Sequence, residues 1–572
     1  MVTVSFLGNT LAVKQWSGEY IGSIVAVDTE TTVTSIETTP LLVLTAAYGG
    51  KDTVYLIPSN LLNYFLIRHK DTHLVFQNAP FDVDVICQFT GKKDSFYPYY
   101  ESHKLHDIGV LYRLWKLATD GEVPRKYSLE LMARELLALE LAKEDSPRLS
   151  YGEFIGREYK DMPHEHLKYA ALDVLSTFSI YMRLITFIKS HDIYGTNLSE
   201  NIQVKGDLAL FHIRKNGIGF DLEAREQWLS KFSSNIEPVK DRLATWGWVR
   251  GMKGLKERYE RIVTHIGLKD LLPRTEDGSI SSKYDDLVAY STYPFVSDYL
   301  AYMELEKAAS FVTEITTNRI HPRYNLLVNT GRTSCSGPNF QQLPRIGGVR
   351  ELFVPHSSNK FHITDYAAIE LSTLAQVLYD RFGSSEMRNR LNAGQDLHKY
   401  YASIHRRVDM KDVTKQWRQE AKAANFGFPG GLGVDTFIEF SRSYGLELNR
   451  QEAQKMKDSW FESFPEVREY LSGEQGSVYT LTGRKRNNTT YCAEKNTPFQ
   501  GLAADGAKLA LYELDKRGFR IAGFVHDEII VEGDGNEASL KEQERILIEQ
   551  MRTVVPDVFV GVESQIVERY TK

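Results

Sequence analysis

At 572 residues, the chain is too long for a single core and is predicted to divide into about three to five lobes. Its 42% hydrophobic and 25% charged content is ordinary for globular protein, and a net charge of −6 excludes a passive nucleic-acid coat while leaving room for an enzyme with a local basic groove. Three scattered cysteines (Cys87, Cys335, Cys492), none in a CxxC pair, exclude a disulfide framework or a cysteine zinc site. The first residues lack a secretory leader pattern, and no apolar stretch near the ~20 residues of a membrane span is read, so an intracellular protein is expected.

Residues 1–190 alternate β-rich runs (SIVAVDTETT, LLVLTAAYG, HLVFQN) with helical periodicity (YSLELMARELLALELA, HEHLKYAALDVLSTFSIYMRLITFI). This predicts an α/β domain, with SHDIYGTNLSE as its junction to the remainder. In a strand, residues i and i+2 share a face, so Asp28 and Glu30 of VAVDTE project together. Two adjacent carboxylates stay ionised most easily around a divalent cation. Asp82 in QNAPFD and Asp173 in YAALDV would complete a four-carboxylate nest for two Mg²⁺-class ions, with Mn²⁺ as a substitute. Tyr169, one helical turn before Asp173, would orient an attacking water.

Residues 198–325 read as mainly helical (LFHIRKNGIGFDLEAREQWLSKF, VSDYLAYMELEKAASFVTEITTN), with a cation-rich run from Arg250 to Arg274. Beyond 326, strands and long helices mix. Asp365 follows the alternating run FHIT at a strand's end, and Asp527 falls in a short turn between FRIAGFV and IIVEGDG. The two acids are expected to converge on a metal pair, with Glu528 reaching either a metal or only solvent. Between them, Arg418, Lys422 and Phe426 recur every four residues along one helical stripe. Two cations and an aromatic so arranged suit a triphosphate and the sugar or base above it.

The order Asp-x-Glu, Asn-x-x-x-Asp, Tyr-x-x-x-Asp resembles the DEDD 3′–5′ exonucleases in their tyrosine-bearing form, over about residues 20–190. That resemblance implies a ribonuclease H-like fold, metal ligation by Asp28, Glu30, Asp82 and Asp173, and assistance to the nucleophile by Tyr169. Asn78 and Phe81 fit the second motif, whereas Asp107 reads as structural. From about 200 onward the chain resembles the family A DNA polymerases of bacterial polymerase I type. NTGRTSCSGPNFQQLPR, DYAAIEL, GQDLH, R-x-x-x-K-x-x-x-F, TPFQGLAADGAK and VHDE occur in family order.

This second resemblance implies a right-hand α+β polymerase: thumb region 198–325, palm 326–390 and 481–572, and fingers 391–480. It also implies that Asp365 and Asp527 bind the catalytic metals, with Glu528 a weaker catalytic partner. Arg418, Lys422, His398 and Phe426 would bind the dNTP, and Glu370 would bar a ribose 2′-OH. Arg332, Gln342, Asn496, Gln500 and His526 would contact primer-template DNA. Glu370 and the attached exonuclease speak against a single-subunit RNA polymerase. The chain departs from the family at Pro429-Gly430-Gly431, where Gly430 replaces a usual tyrosine and Pro429 should end the helix. Cys492 stands where an arginine is frequent. The Pro-Gly-Gly variant is similar to bacteriophage members. With no 5′-nuclease region ahead of the exonuclease, a monomeric phage replicative enzyme is expected, working in the bacterial host cytoplasm with a helicase and single-strand binding protein.

Overall fold

A computed structural model describes residues 2–33, 38–141, 145–190, 199–275, 277–344, 346–357, 359–473 and 475–571. The expected junction SHDIYGTNLSE falls largely on 191–198, outside the described residues.

The N-terminal third is built on one mixed sheet of seven strands. Their spatial order is Val2–Phe6, Asn9–Gln15, Thr53–Ile57, Leu42–Tyr48, Ile24–Thr31, His73–Phe76 and Leu105–Asp107. Leu42–Tyr48 is buried along its whole length, as a strand covered on both faces must be. Within Ile24–Thr31 the pleat divides the work. Val25 and Val27 pack into the core that includes Val83 and Ile86, while Ala26 meets Ala170, Ala171 and Val174 on the other side. Helices Ala79–Thr90 and His164–Ser190 thus lie on opposite faces.

The helix His164–Lys189 corrects the reading that no apolar stretch approaches membrane-span length: its most apolar window has a mean hydropathy of 1.4. It lies against the sheet and carries Tyr169 and Asp173. A second difference lies in YSLELMARELLALELA, which is helical only over Leu129–Leu137. Ala138 turns left-handed (φ 53°) and the Leu139 amide bonds back to the Ala133 carbonyl, so that Leu137 and Leu139 pack beside the second core of the sheet. Tertiary burial overrides helical propensity here.

Helix Glu200–Asn216 joins this domain to the rest. On one side Glu200 accepts from His106 at 3.0 Å and Lys215 binds Asp84 at 2.8 Å. On the other, His212 bonds Asp515 at 2.8 Å and Gln203 bonds Asp505 at 2.9 Å. The run LFHIRKNGIGFDLEAREQWLSKF is not one helix. It breaks at Gly217 (φ 62°), forms the strand Ile218–Phe220, and resumes as Leu222–Thr245 under an Asp221 N-cap. That helix and Pro294–Glu314 pack together, with a separate core around Leu243, Trp248 and Phe295.

The C-terminal part centres on a four-stranded antiparallel sheet, ordered Arg520–Val525, Glu528–Gly533, Lys360–Ala367, Gly561–Val567. The long helix Tyr491–Lys516 packs against Glu200–Asn216 and Glu537–Arg552, and Glu200–Asn216 also meets the edge strand Arg520–Val525. Helices Leu397–Arg406, Lys415–Gly427, Val434–Arg442 and Arg450–Ser463 form a further lobe. Lys415–Gly427 stops just before Pro429, giving way to a tight turn Phe428–Gly430. Gly431 follows at φ +81°, where a Cβ would come 2.4 Å from the Tyr491 ring.

Candidate active sites

In the first domain, ligand atoms of Asp28, Glu30 and Asp173 lie within 4.8 Å of one another. Asp28 and Glu30 leave the strand on the face that meets helix His164–Ser190, which delivers Asp173. Burial, then the charges of Asp28 and Asp173, push the Glu30 carboxyl well above the usual range. Its Oε1 is buried with no hydrogen-bond partner among the described residues. An all-oxygen trio with so costly a buried charge fits a hard divalent cation.

Asp82 lies outside the 4.8 Å trio, although its charge also helps raise the Glu30 carboxyl. It arrives from the opposite face, and its Oδ1 accepts from the Thr29 amide at 2.9 Å and the Thr29 hydroxyl at 2.7 Å. Burial drives its carboxyl up to about 7. Asp107, by contrast, is the structural acid it was read to be. It caps helix Ile108–Asp120 through the Gly109 and Val110 amides and also accepts from Ala79. Tyr169 is half-buried, its ring 6.4 Å from that of Tyr151. Sequence reasoning missed Tyr151, a buried side chain that donates to the His166 carbonyl at 2.7 Å and shares a hydrogen bond with Glu30. It sits in a short turn with no periodicity to flag it.

In the C-terminal sheet, Asp365 is the direct antiparallel partner of Glu528 on one side and of Glu563 on the other. Asp527 is adjacent, in the two-residue turn joining Val525 to Glu528; His526 supplies the positive φ (60°) such a turn requires. The strand pairing therefore brings Asp365 and Asp527 together at one end of the sheet. Glu528 is buried rather than solvated, and its Oε1 accepts from the Tyr570 hydroxyl at 2.7 Å. His526 is exposed.

Helix Lys415–Gly427 packs against Leu397–Arg406, and the two bring Arg418, Lys422, Phe426 and His398 into one cluster. Arg418 Nε binds Asp396 at 2.6 Å, and Asp396 in turn caps the partner helix through the His398 amide. His398 is buried. Burial, with Arg418 and Lys422 nearby, lowers its imidazole to about 4 against the pull of Asp396. Asn425 donates to its Nδ1 at 2.9 Å and is itself held by Trp460 Nε1 at 2.9 Å, so the ring proton rests on Nε2. Phe426 stays 39% exposed, its ring 5.5 Å from that of His398.

Arg332 is exposed and forms an ion pair with Glu370 at the start of helix Ile369–Phe382. Desolvation lowers its guanidinium while the charge of Asp527 raises it, so it lies within electrostatic reach of Asp527. Asn496 and Gln500 lie one turn apart on helix Tyr491–Lys516, with Asn496 directly beneath Gly430. Asn496 Nδ2 donates to the Cys492 carbonyl at 2.8 Å, and Gln342 is exposed.

A nuclease-type sheet and a separate antiparallel sheet tipped with acids define a two-domain nucleic-acid enzyme of the polymerase class. The profile for DNA polymerase family A matches residues 256–572, more than half the chain, and that for the 3′–5′ exonuclease matches 13–188. The chain belongs to DNA polymerase family A and carries a 3′–5′ exonuclease domain. Among its relatives, DNA polymerase I of Aquifex aeolicus is 28% identical over 448 residues, 71% of this chain and 76% of that one. The thermostable DNA polymerase I of Thermus filiformis is 29% identical over 62% of this chain and 46% of its own. The Bacillus caldotenax enzyme is 33% identical over 40% and 28% respectively, so the chain spans less than half of these last two relatives. The fold is also that of the polymerase domain of Pol1 from M. smegmatis, solved with DNA primer-template and dNTP. The TM-score is 0.72 at 20% identity, and 96% of each chain is covered.

Proposed function

We propose that this protein extends a primer 3′ end with dNTPs under template direction and removes mispaired nucleotides by 3′–5′ hydrolysis. The observation that carries the reading is the presence of two acidic centres in one chain: Asp28, Glu30 and Asp173 in one domain, and Asp365 beside Asp527 in the other. Mg²⁺ held by these carboxylates would activate the attacking oxygen and stabilise the leaving one at each centre. The chain's own groups do the rest. Arg418, oriented by Asp396, and Lys422 neutralise the triphosphate, and the neutral His398 donates from Nε2. Phe426 covers the sugar or base, and Glu370 occupies the space a 2′-OH would need. Tyr169 steers water at the hydrolytic centre, with Tyr151 steadying Glu30.

A finer reading, a replicative enzyme of bacteriophage type, draws on the Phe428–Gly431 turn that ends the dNTP-binding helix early.

The test is primer extension with Mg²⁺ on matched and mismatched primers, using wild type, Asp28→Ala and Asp527→Asn. Asp28→Ala should lose mismatch removal and keep extension; Asp527→Asn should do the reverse. Extension by Asp527→Asn at the wild-type rate would overturn the synthetic assignment, and undiminished mismatch removal by Asp28→Ala the hydrolytic one.

A further inference from the structure

The ion pair between Arg332 and Glu370 joins two residues to which the sequence assigns separate duties, one toward the primer terminus and one toward the sugar of the incoming nucleotide. The backbone that carries Arg332 is held tightly. Arg332 closes a tight turn: its carbonyl accepts from the Val328 amide at 2.9 Å, and the Gly331 amide returns to the Val328 carbonyl at 2.8 Å. Gly331 adopts φ +94° and lies so close to Arg484 that a Cβ there would sit 2.2 Å from its guanidinium. From beneath, Lys508 Nζ donates to the Gly331 carbonyl at 2.7 Å. Lys508 and Arg484 are themselves buried and tied to Gln203 and Asp505. Glu370 stands in the first turn of its helix with its side chain 27% exposed against 45% for Arg332, so each side chain's rotamer depends on the other.

A half-exposed ion pair adds little to stability, and its value lies in geometry. We infer that Arg332 is the positioning residue for Glu370: mounted on a rigid turn, it holds the carboxylate in the one orientation that blocks a ribonucleotide, and so sets sugar discrimination. The inference rests on the reading of Glu370 as the gate. It links sugar choice to the same arginine that faces the primer end, so that a displaced terminus also loosens the gate.

The experiment compares single-turnover incorporation of dCTP and CTP opposite template G by wild type, Glu370→Ala, Arg332→Ala, Arg332→Lys and the double alanine variant. The readout is the ratio of the two efficiencies, from which a general loss of primer contact cancels. Glu370→Ala should relax that ratio about tenfold or more. Arg332→Ala should relax it comparably although Glu370 is intact, the double variant should go no further than Glu370→Ala, and Arg332→Lys should recover part of the discrimination. Wild-type discrimination in Arg332→Ala, with Glu370→Ala relaxed, overturns this inference alone. An unchanged ratio in Glu370→Ala overturns the gate assignment and the inference with it.

Discussion

Replacing Asp505 with asparagine probes the most deeply buried ion pair in the molecule's described residues. Arg484 and Asp505 side chains are 1% and 0% exposed, with Nη1 at 2.6 and 2.9 Å from the two carboxylate oxygens. Asp505 also accepts from Gln203 at 2.9 Å and Thr482 at 2.5 Å. Asparagine preserves the volume but leaves Arg484 as a buried cation facing an amide N–H₂. Breaking such a pair from one side costs about 3–5 kcal/mol, because the remaining charge has nowhere to be solvated. For a unit of this size, ~2 °C of Tm is lost per kcal/mol, which gives a fall of about 6–10 °C in the polymerase-domain transition. Scanning calorimetry is the appropriate assay, since it separates the transitions of a multidomain chain. The paired change Arg484→Met with Asp505→Leu should cost less than Asp505→Asn alone. A transition within about 2 °C of wild type for Asp505→Asn would refute the reasoning.

Tyr151→Phe, which removes the hydroxyl that bonds the His166 carbonyl and lies beside Glu30, should lower exonuclease turnover about 10–100-fold and leave extension unchanged in a gel assay. Gly331→Ala should slow extension and cost about 1–3 kcal/mol in denaturant melts, from the left-handed backbone and the contact with Arg484. His398 has its imidazole depressed to about 4, so on acidification the unfolded chain binds the proton first. Stability is then lost as pH falls from about 6.5 toward 4, at up to ~1.4 kcal/mol per pH unit, and His398→Gln should flatten that slope in denaturant midpoints. EDTA should abolish both activities, with recovery on adding Mg²⁺ or Mn²⁺, assayed by extension and by release of 3′ nucleotides.

What could be read from the residue string was local in origin. Asp28 and Glu30 share a face because a strand repeats every two residues, and Tyr169 and Asp173 share one because a helix repeats every 3.6. The turn carrying Asp527 announced itself as a short polar interruption between apolar runs, and Pro429 marked the end of its helix. What escaped depends on chain segments far apart. Asp82 accepts from Thr29 while its charge reaches Glu30, and nothing in QNAPFD tells which face of the sheet its helix will cover. Tyr151, the Arg332–Glu370 pair and the Lys508–Gly331 contact (177 positions apart) have no local signature at all. The resemblance implies that His398 binds the dNTP; that its imidazole is neutral follows from burial and from Asn425, which only the packed helices supply.

The helix Glu200–Asn216 has a consequence for how a misincorporated end would be corrected. Carboxylates, histidines and a lysine on its two sides lock it into both halves of the molecule, so it acts as a keel rather than a hinge. A brace bonded to both halves would resist swinging one half toward the other. On the proposed function, a primer end passing between the two centres would then have to melt base pairs to make the journey, and the ease of that melting would tell a wrong terminus from a right one.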